Sequence, residues 1–279
     1  MLEDVAFLLV LLAAVLHASW NALVKINTKP LLAISLMFGC ICLLTLGMLP
    51  WVKPLAPDLW LLLAVSLVCH FGYKVYLLRA FEEGDFSLAY PIARGSAPLW
   101  VLLVGSVIWP QELTTAQISG ALLTIGGILL LTNWRRLREH IGLVVAALVT
   151  GSWIAAYSLL DGYAANQTTS LTSYLFWLFM FDGLIINAYA YYRHKQALFV
   201  AYRQHWRTAA LGGGFSFAAY SLCLWAMTII PVAVVSALRE TSVLVAVAIG
   251  VIWLKEQLVW RQYVAAITIM AGLVVMRLS

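Results

Sequence analysis

The sequence predicts an all-α integral membrane protein with ten transmembrane helices, arranged as two inverted five-helix repeats. Three observations support this fold class. Only 10% of the 279 residues are charged and 63% are hydrophobic, whereas soluble domains have about 25% charged and 45–50% apolar residues. The chain contains ten apolar runs of roughly twenty residues, the length that crosses a bilayer. Short motifs of the first half also recur in the second half.

The first five helices form the predicted first repeat, residues 1–133. Runs bounded by proline, charged or polar residues place these helices at about 5–26, 31–51, 59–82, 86–109 and 115–133. The chain starts Met1-Leu2-Glu3-Asp4, without the basic segment of a cleavable signal peptide, so we expect the first helix to be retained. The runs are too long and too continuously apolar for the alternating strands of a membrane barrel.

A basic loop at 134–140 leads into the second repeat, residues 141–279. Its helices are expected at about 141–163, 170–192, 207–229, 231–254 and 258–278. The second repeat is about twelve residues longer before its fourth helix. We assign this growth to a longer basic connection around Arg193 to Arg207.

Three sequence elements relate the two halves. They are Val107–Glu112 with Val251–Glu256, Arg94 with Arg239, and Ser19-Trp20 with Ser152-Trp153. Because each repeat has an odd number of crossings, the second repeat must enter the membrane from the opposite side. An inverted pair of this kind is typical of secondary transporters.

The distribution of Lys and Arg predicts the orientation. Twelve of the 17 basic residues lie on the side of the membrane that carries the loops after the first, third, fifth, seventh and ninth predicted helices. The opposite side, with both termini, carries only Lys53 and Arg277. The positive-inside rule then places both termini outside the cytoplasm. We expect a multi-pass protein of the plasma (inner) membrane. Its basic residues form no continuous patch, so nucleic acid is not an expected partner.

The ends of the fourth and ninth predicted helices share a Trp-x-x-Glu pattern, at Trp109–Glu112 and Trp253–Glu256. The fifth helix is rich in glycine and has a glycine-bearing partner in the tenth, at Gly120, Gly126, Gly127 and Gly272. With the repeat of about 140 residues, these features resemble the EamA-type transporters of the drug/metabolite transporter superfamily, over the whole chain.

This resemblance implies a bundle of five plus five helices around a central cavity. It also implies movement of metabolites, amino acids or amines by alternating access, sometimes with proton exchange. The sequence departs from the usual apolar fourth and ninth helices of the family at Arg94, Arg239 and Glu240.

These three charged residues are the main candidates for a binding site. A charge at the centre of a membrane helix costs at least about 2.5–3.5 kcal/mol, so it usually faces a cavity or a partner. The pseudo-twofold axis is expected to bring Arg94 and Arg239 to opposite walls of one cavity. Glu240 points about 100° away from its neighbour Arg239, so we expect it to contact Arg94 instead.

Two interpretations of this charged group stay open. In the first, the arginine pair binds a carboxylate or phosphate, and Glu240 takes an ammonium group or a proton. In the second, Arg94 and Glu240 form a buried ion pair that only holds helices together.

Aromatic residues of the first and sixth helices are further candidates. His17, Trp20 and Asn21 share one helical face, and Trp153 and Tyr157 lie in the repeat-related helix. They are expected either to form an aromatic wall around a substrate or to pack between helices. The residues expected to contact substrate are therefore Arg94, Arg239, Glu240, Trp20, Asn21, Tyr90, Trp153 and Tyr157.

Three residues are candidates for proton coupling. His17 is a natural proton carrier or a buried, satisfied imidazole, and Glu240 is a second candidate. Asp182 is a lone carboxylate in the seventh helix, which is either part of the coupling machinery or the partner of Lys74. No metal site and no cofactor is expected.

The function that the sequence predicts is secondary active transport of a small polar metabolite, with proton coupling as an option. An amino acid or similar zwitterion fits best. The alternatives are an organophosphate or phosphonate anion and a cationic amine. A membrane scaffold or a lipid-modifying enzyme would be a different class. An enzyme is not expected, because the sequence indicates no carboxylate cluster for Mg²⁺ and no histidine with an acidic partner at a membrane edge. The expected partners are the lipid bilayer and a small-molecule substrate, bound to a monomer or homodimer.

Overall fold

The computed structural model describes residues 1–25, 29–82, 86–132, 141–254 and 259–278. Within these ranges the secondary structure is helical throughout, which confirms the all-α class. The helices are α1 (Leu2–Lys25), α2 (Pro30–Met48), α3 (Pro57–Glu82), α4 (Phe86–Ile108), α5 (Thr115–Leu130), α6 (Ile141–Gln167), α7 (Leu171–His194), α8 (Gln196–Ala226), α9 (Val232–Arg239), α10 (Ser242–Leu254) and α11 (Trp260–Arg277). The predicted loop at 134–140 and Glu256 of the second Trp-x-x-Glu pattern lie outside the described residues.

Seven helices of the described ranges are long and apolar enough to cross a membrane. They are α1 to α4 and α6 to α8. The apolar helix α5 has only 16 residues, and the ninth predicted helix is divided into two short ones. The chain is therefore a multi-pass membrane protein, while the count of five crossings in each repeat stays a prediction.

The helix pairs that pack together follow the two-repeat pattern. Helix α1 packs on α8, and α3 packs on α6. If α1 of the first repeat corresponds to α6 of the second, and α3 to α8, these two contacts are equivalent. Helix α5 packs on its counterpart α11, and α2 packs on α7. An approximate twofold relation between the repeats accounts for all four contacts.

Glycines allow the close approach of α5 and α11. A Cβ atom added at Gly120 would lie 2.6 Å from the carbonyl oxygen of Gly272, and one added at Gly272 would lie 2.6 Å from the carbonyl oxygen of Gly120. Only a residue without a side chain lets the two backbones meet at this distance.

The connection expected around 193–207 is helical instead, so this prediction is wrong. Only Lys195, with a φ of 42°, separates α7 from α8. Helix α8 has 31 residues, which gives it a length of about 46 Å, compared with about 30 Å for the hydrocarbon core. The basic segment therefore continues the helix beyond the apolar region, because the interface satisfies its charged side chains without a loop.

The ninth predicted helix is broken near its middle, which the apolar run did not indicate. The amide of Glu240 donates to the carbonyl of Ala237 at 3.2 Å, and that of Thr241 donates to Leu238 at 3.0 Å. The Thr241 hydroxyl donates to the same Leu238 carbonyl at 2.7 Å. These tight i to i−3 bonds end α9 and place Arg239 and Glu240 at the break.

Candidate functional site

A cavity lies between α1, α2 and α3 of the first repeat and α6, α7, α8 and α9 of the second. Most of its wall is apolar or aromatic, with a few charged groups and two histidines, which is the usual composition of a small-molecule site. The aromatic, charged and histidine residues are Trp20, Phe38, Tyr73, Tyr157, Phe179, Tyr220, Lys74, Asp182, Arg239, His17 and His70.

Arg239 brings a positive charge to this wall from the end of α9. The residue is only 4% exposed. Its Nη2 lies 3.5 Å from the Ser158 hydroxyl, and its guanidinium carbon lies 6.0 Å from the centre of the Tyr157 ring. Its Nε donates no hydrogen bond within the described part of the chain. The guanidinium therefore borders the cavity with few hydrogen bonds to the protein, and its Nε atom is buried 3.7 Å from Oε1 of Glu240.

Arg94 is held by Glu240, as expected. Its Nε lies 2.5 Å from Oε2 of Glu240, and its Nη2 donates to the Ser242 hydroxyl at 2.8 Å. Its guanidinium carbon lies 5.8 Å from the ring centre of Tyr90. Tyr90 thus lies beside Arg94, and neither of them lines the cavity.

The expected position of the two arginines on opposite walls is wrong. Oε1 of Glu240 lies 3.7 Å from Nε of Arg239, so both arginines flank one carboxylate. The expectation that Glu240 points away from Arg239 assumed a regular helix. The break after Arg239 changes that geometry and lets Glu240 approach both cations.

Asp182 has a definite partner. The Nζ atom of Lys74 lies 2.6 and 2.7 Å from the two carboxylate oxygens of Asp182, which joins α3 to α7. The same Nζ lies 4.3 Å from the centre of the Phe38 ring. Of the two interpretations of Asp182, the structure favours the ion pair with Lys74.

A third buried carboxylate, Asp161, was missed in the sequence. It is fully buried on α6 and accepts hydrogen bonds from the Ser66 and Tyr220 hydroxyls, from Nε2 of His70 at 3.0 Å and from the Tyr174 hydroxyl at 2.7 Å. This histidine–carboxylate pair was not identified from the sequence. Asp161 lies in an apolar run, so the rule that selected Asp182 would have found it.

The aromatic wall differs from the expected one. Trp20 and Tyr157 line the cavity, and the Trp20 ring meets the His17 ring edge-on at 5.1 Å. Trp153 does not line the cavity: its ring packs on Gly72 of α3, where an added Cβ would lie 2.8 Å from Cε2 of Trp153. The repeat-related tryptophans thus have different environments.

Asn21 also lies away from the cavity wall. Its Nδ2 donates to the backbone carbonyl of His17 at 2.9 Å, one turn earlier in α1. The side chain therefore bonds to its own helix. The described residues contain no group of three or more His, Cys, Asp or Glu that could hold a metal ion.

Comparison with known proteins assigns the family. The EamA-like transporter family matches residues 5–133 and 138–278, so two copies of the family pattern span the chain. One solved structure, described only as the crystal structure of a protein, covers 99% of this chain and 98% of its own, with a TM-score of 0.76 and 17% identity. That likeness concerns the fold alone. No curated protein matches the sequence. The chain therefore belongs to the EamA-like transporter family, whose members are transporters of the drug/metabolite transporter superfamily.

Proposed function

We propose that this protein is a secondary active transporter that moves a small zwitterion, an amino acid or a similar metabolite, by alternating access. The observation that carries the proposal is the guanidinium of Arg239, which lines the cavity and whose only hydrogen bond among the described residues is a long one, 3.5 Å, to the Ser158 hydroxyl. A guanidinium binds a carboxylate through two parallel hydrogen bonds, so Arg239 suits the acid end of such a substrate.

One arginine, rather than two, performs this role in the proposal. Arg94 already contacts Glu240 and Ser242, and Lys74 is bound to both oxygens of Asp182. Arg239 has only a 3.5 Å contact with Ser158 and a 3.7 Å contact with Glu240. It is therefore the cation with the most capacity left for a ligand.

The charge of the wall favours a carboxylate-bearing ligand over a cationic amine. Lys74 and Arg239 contribute two positive charges and Asp182 one negative charge, so the charged groups of the wall sum to +1 with neutral histidines. Asp182 keeps lone pairs beyond its two contacts with Lys74, so it can also accept from an ammonium group, and the rings of Trp20 and Tyr157 offer contact for an apolar or cationic part. A doubly charged organophosphate would need a second free cation, and Lys74 is already paired.

The proposal extends to energy and orientation. Ten crossings in two inverted repeats, both termini outside the cytoplasm and a plasma-membrane location follow from the sequence pattern and the distribution of basic residues. A proton gradient is the proposed energy source. Glu240 and Asp182 are each held by buried cations, so they are poor proton carriers in this arrangement.

Thermal unfolding of the purified protein against a panel of amino acids, amines and organophosphates tests the proposal. A ligand at about 100 times its Kd stabilises the folded state by roughly 2.7 kcal/mol. We expect amino acids to raise the melting temperature of the wild type and of Arg261→Gln, a control in which an exposed arginine of α11 is changed. The effect should be lost in Arg239→Gln.

Other outcomes contradict the proposal in distinct ways. Stabilisation by amines alone, or by organophosphates alone, would replace the substrate class. Stabilisation that persists in Arg239→Gln would remove the carboxylate role of this residue. Uptake of the stabilising compound into proteoliposomes then tests transport, and turnover of a lipid by the same preparation would indicate an enzyme instead.

A further inference from the structure

His70 and Asp161 form a buried pair that the binding of a zwitterion does not use. His70 lies on α3 and lines the cavity, whereas Asp161 lies behind it on α6 and is not part of the wall. The pair therefore connects the cavity to a fully buried negative charge. Its two members come from different repeats, so movement of one repeat against the other acts on it directly.

The hydrogen bonds of Asp161 determine which nitrogen of His70 carries the proton. Both carboxylate oxygens accept: Oδ1 from Ser66 and Tyr174, and Oδ2 from Tyr220 and from Nε2 of His70. A carboxylate that already accepts from three hydroxyl groups requires an N–H from the ring. Nε2 therefore holds a proton, and Nδ1 is the atom that gains or loses one.

The ring of His70 is also fixed in orientation. It stacks on the Tyr157 ring, with centroids 4.1 Å apart, and meets the Tyr220 ring edge-on at 5.6 Å. No hydrogen bond to Nδ1 occurs within the described ranges, so this nitrogen stays available. The other titratable or charged groups of the cavity are Tyr73 and Lys74 on α3, Asp182 on α7, Cys223 on α8, Arg239 on α9 and His17 on α1.

We propose that Nδ1 of His70 binds the proton that drives transport, and that Asp161 is a positioning residue that holds the ring and balances the charge. The inference rests on the proposed function, which it deepens by assigning the coupling site. The alternatives are less suitable. A proton on Glu240 or Asp182 would leave a buried arginine or lysine without its counter-charge, which is strongly unfavourable. His17 contacts Trp20 and has no carboxylate partner among the described residues.

The charges balance in each step. With Nδ1 unprotonated, the pair carries a charge of −1, and with Nδ1 protonated it carries none. A proton taken from the water on one side neutralises the buried carboxylate before the helices rearrange, and its release on the other side restores the charge. A zwitterion carries no net charge, so each cycle moves one positive charge with it.

The first test needs no substrate. Histidine-selective ¹⁵N labelling of the protein in lipid nanodiscs reports the protonation of each ring nitrogen, and His70→Gln identifies the His70 signals. On acidification of the sample, we expect Nε2 to stay protonated while Nδ1 gains a proton. An Nδ1 that does not change, or an Nε2 that lacks a proton, would overturn the inference.

The second test measures coupling in proteoliposomes that contain a pH-sensitive dye, with a mixture of labelled L-amino acids as the probe. We expect amino-acid entry to change the internal pH for the wild type and for His205→Gln, a matched control at the far end of α8. His70→Gln keeps a donor for Asp161 but binds no proton. It should exchange labelled for unlabelled amino acids without a pH change. Wild-type proton movement in His70→Gln would overturn the inference.

Asp161→Asn keeps an acceptor for Nε2 of His70 but removes the negative charge. This variant is used for the coupling test if His70→Gln fails to fold. Two coupled sites typically change each other's affinity about tenfold. The amino-acid affinity of the wild type should therefore change about tenfold with pH, and that of Asp161→Asn should change much less. An unchanged pH profile in Asp161→Asn would contradict the role of this residue. If the wild type neither takes up nor exchanges amino acids, the proposed substrate class is wrong, and the nitrogen titration alone decides the role of His70.

Discussion

Nε of Arg94 lies 2.5 Å from Oε2 of Glu240, in a contact between α4 and the break that separates α9 from α10. Arg94 belongs to the first repeat and Glu240 to the second. Glu240 is fully buried and also lies 3.7 Å from Nε of Arg239. One carboxylate of the second repeat thus compensates the equivalent arginines of both repeats.

Removing this carboxylate should destabilise the protein strongly. Glu240→Gln leaves Arg94 buried without a counter-charge, and the loss of one partner of a buried ion pair costs about 3–5 kcal/mol. The free energy of unfolding in detergent measures this, with Glu3→Gln at an exposed position of α1 as the control. In a double-mutant cycle with Arg94→Gln, the pair should show a coupling of at least about 0.5 kcal/mol. Additive losses would contradict a direct interaction.

The Lys74–Asp182 pair allows stability to be separated from function. Lys74→Met alone and Asp182→Leu alone each leave one buried charge unpaired, so both should unfold at lower temperature. The double variant removes both charges, and replacement of a buried pair by apolar residues is often neutral or stabilising by about 1–4 kcal/mol. It should therefore regain stability while it loses the ammonium site and amino-acid binding. Retained binding in a stable double variant would exclude Asp182 from the substrate site.

The contact of α5 with α11 predicts opposite effects for two glycines of one helix. A Cβ atom at Gly120 would meet the backbone of α11, whereas one at Gly126 would meet no atom within 4 Å. Gly120→Ala should lower the free energy of unfolding by about 1–3 kcal/mol, as overpacking does. Gly126→Ala should raise it by about 0.5–1 kcal/mol, because alanine favours the helix. Similar effects at the two positions would show that the helices do not approach closely.

The repeat-related tryptophans should differ in ligand binding. Trp20 lines the cavity, and Trp153 packs on Gly72 of α3. Trp20→Phe should reduce the thermal stabilisation by the best ligand of the panel, because it removes contact area and the indole donor from the wall. Trp153→Phe should leave that stabilisation unchanged, even if the unliganded protein melts earlier. A larger loss of ligand stabilisation in Trp153→Phe would place the binding site elsewhere.

Local features of the sequence were sufficient for most of the fold. Runs of apolar residues predicted the helices because a segment that crosses lipid must satisfy its backbone hydrogen bonds within itself, as a helix does. The length and hydropathy of a run are therefore enough to recognise such a segment. A charge inside the membrane is costly, and this cost singled out Arg94, Arg239, Glu240 and Asp182 as candidate site residues. The contact of Arg94 with Glu240 was predicted correctly from the angle between neighbouring residues of a regular helix, although the break after Arg239 means that this angle does not apply there.

Only the tertiary structure decided which faces of the helices meet. His70 and Asp161 are 91 residues apart, and no periodicity within α3 or α6 indicates that they pair. The break after Arg239 depends on hydrogen bonds that compete within one turn, so an apolar run does not reveal it. Trp20 and Trp153 occupy corresponding positions in the sequence, yet one lines the cavity and the other packs on Gly72. Hydropathy is a property of each segment alone, whereas the site is formed by side chains of seven helices that packing brings together.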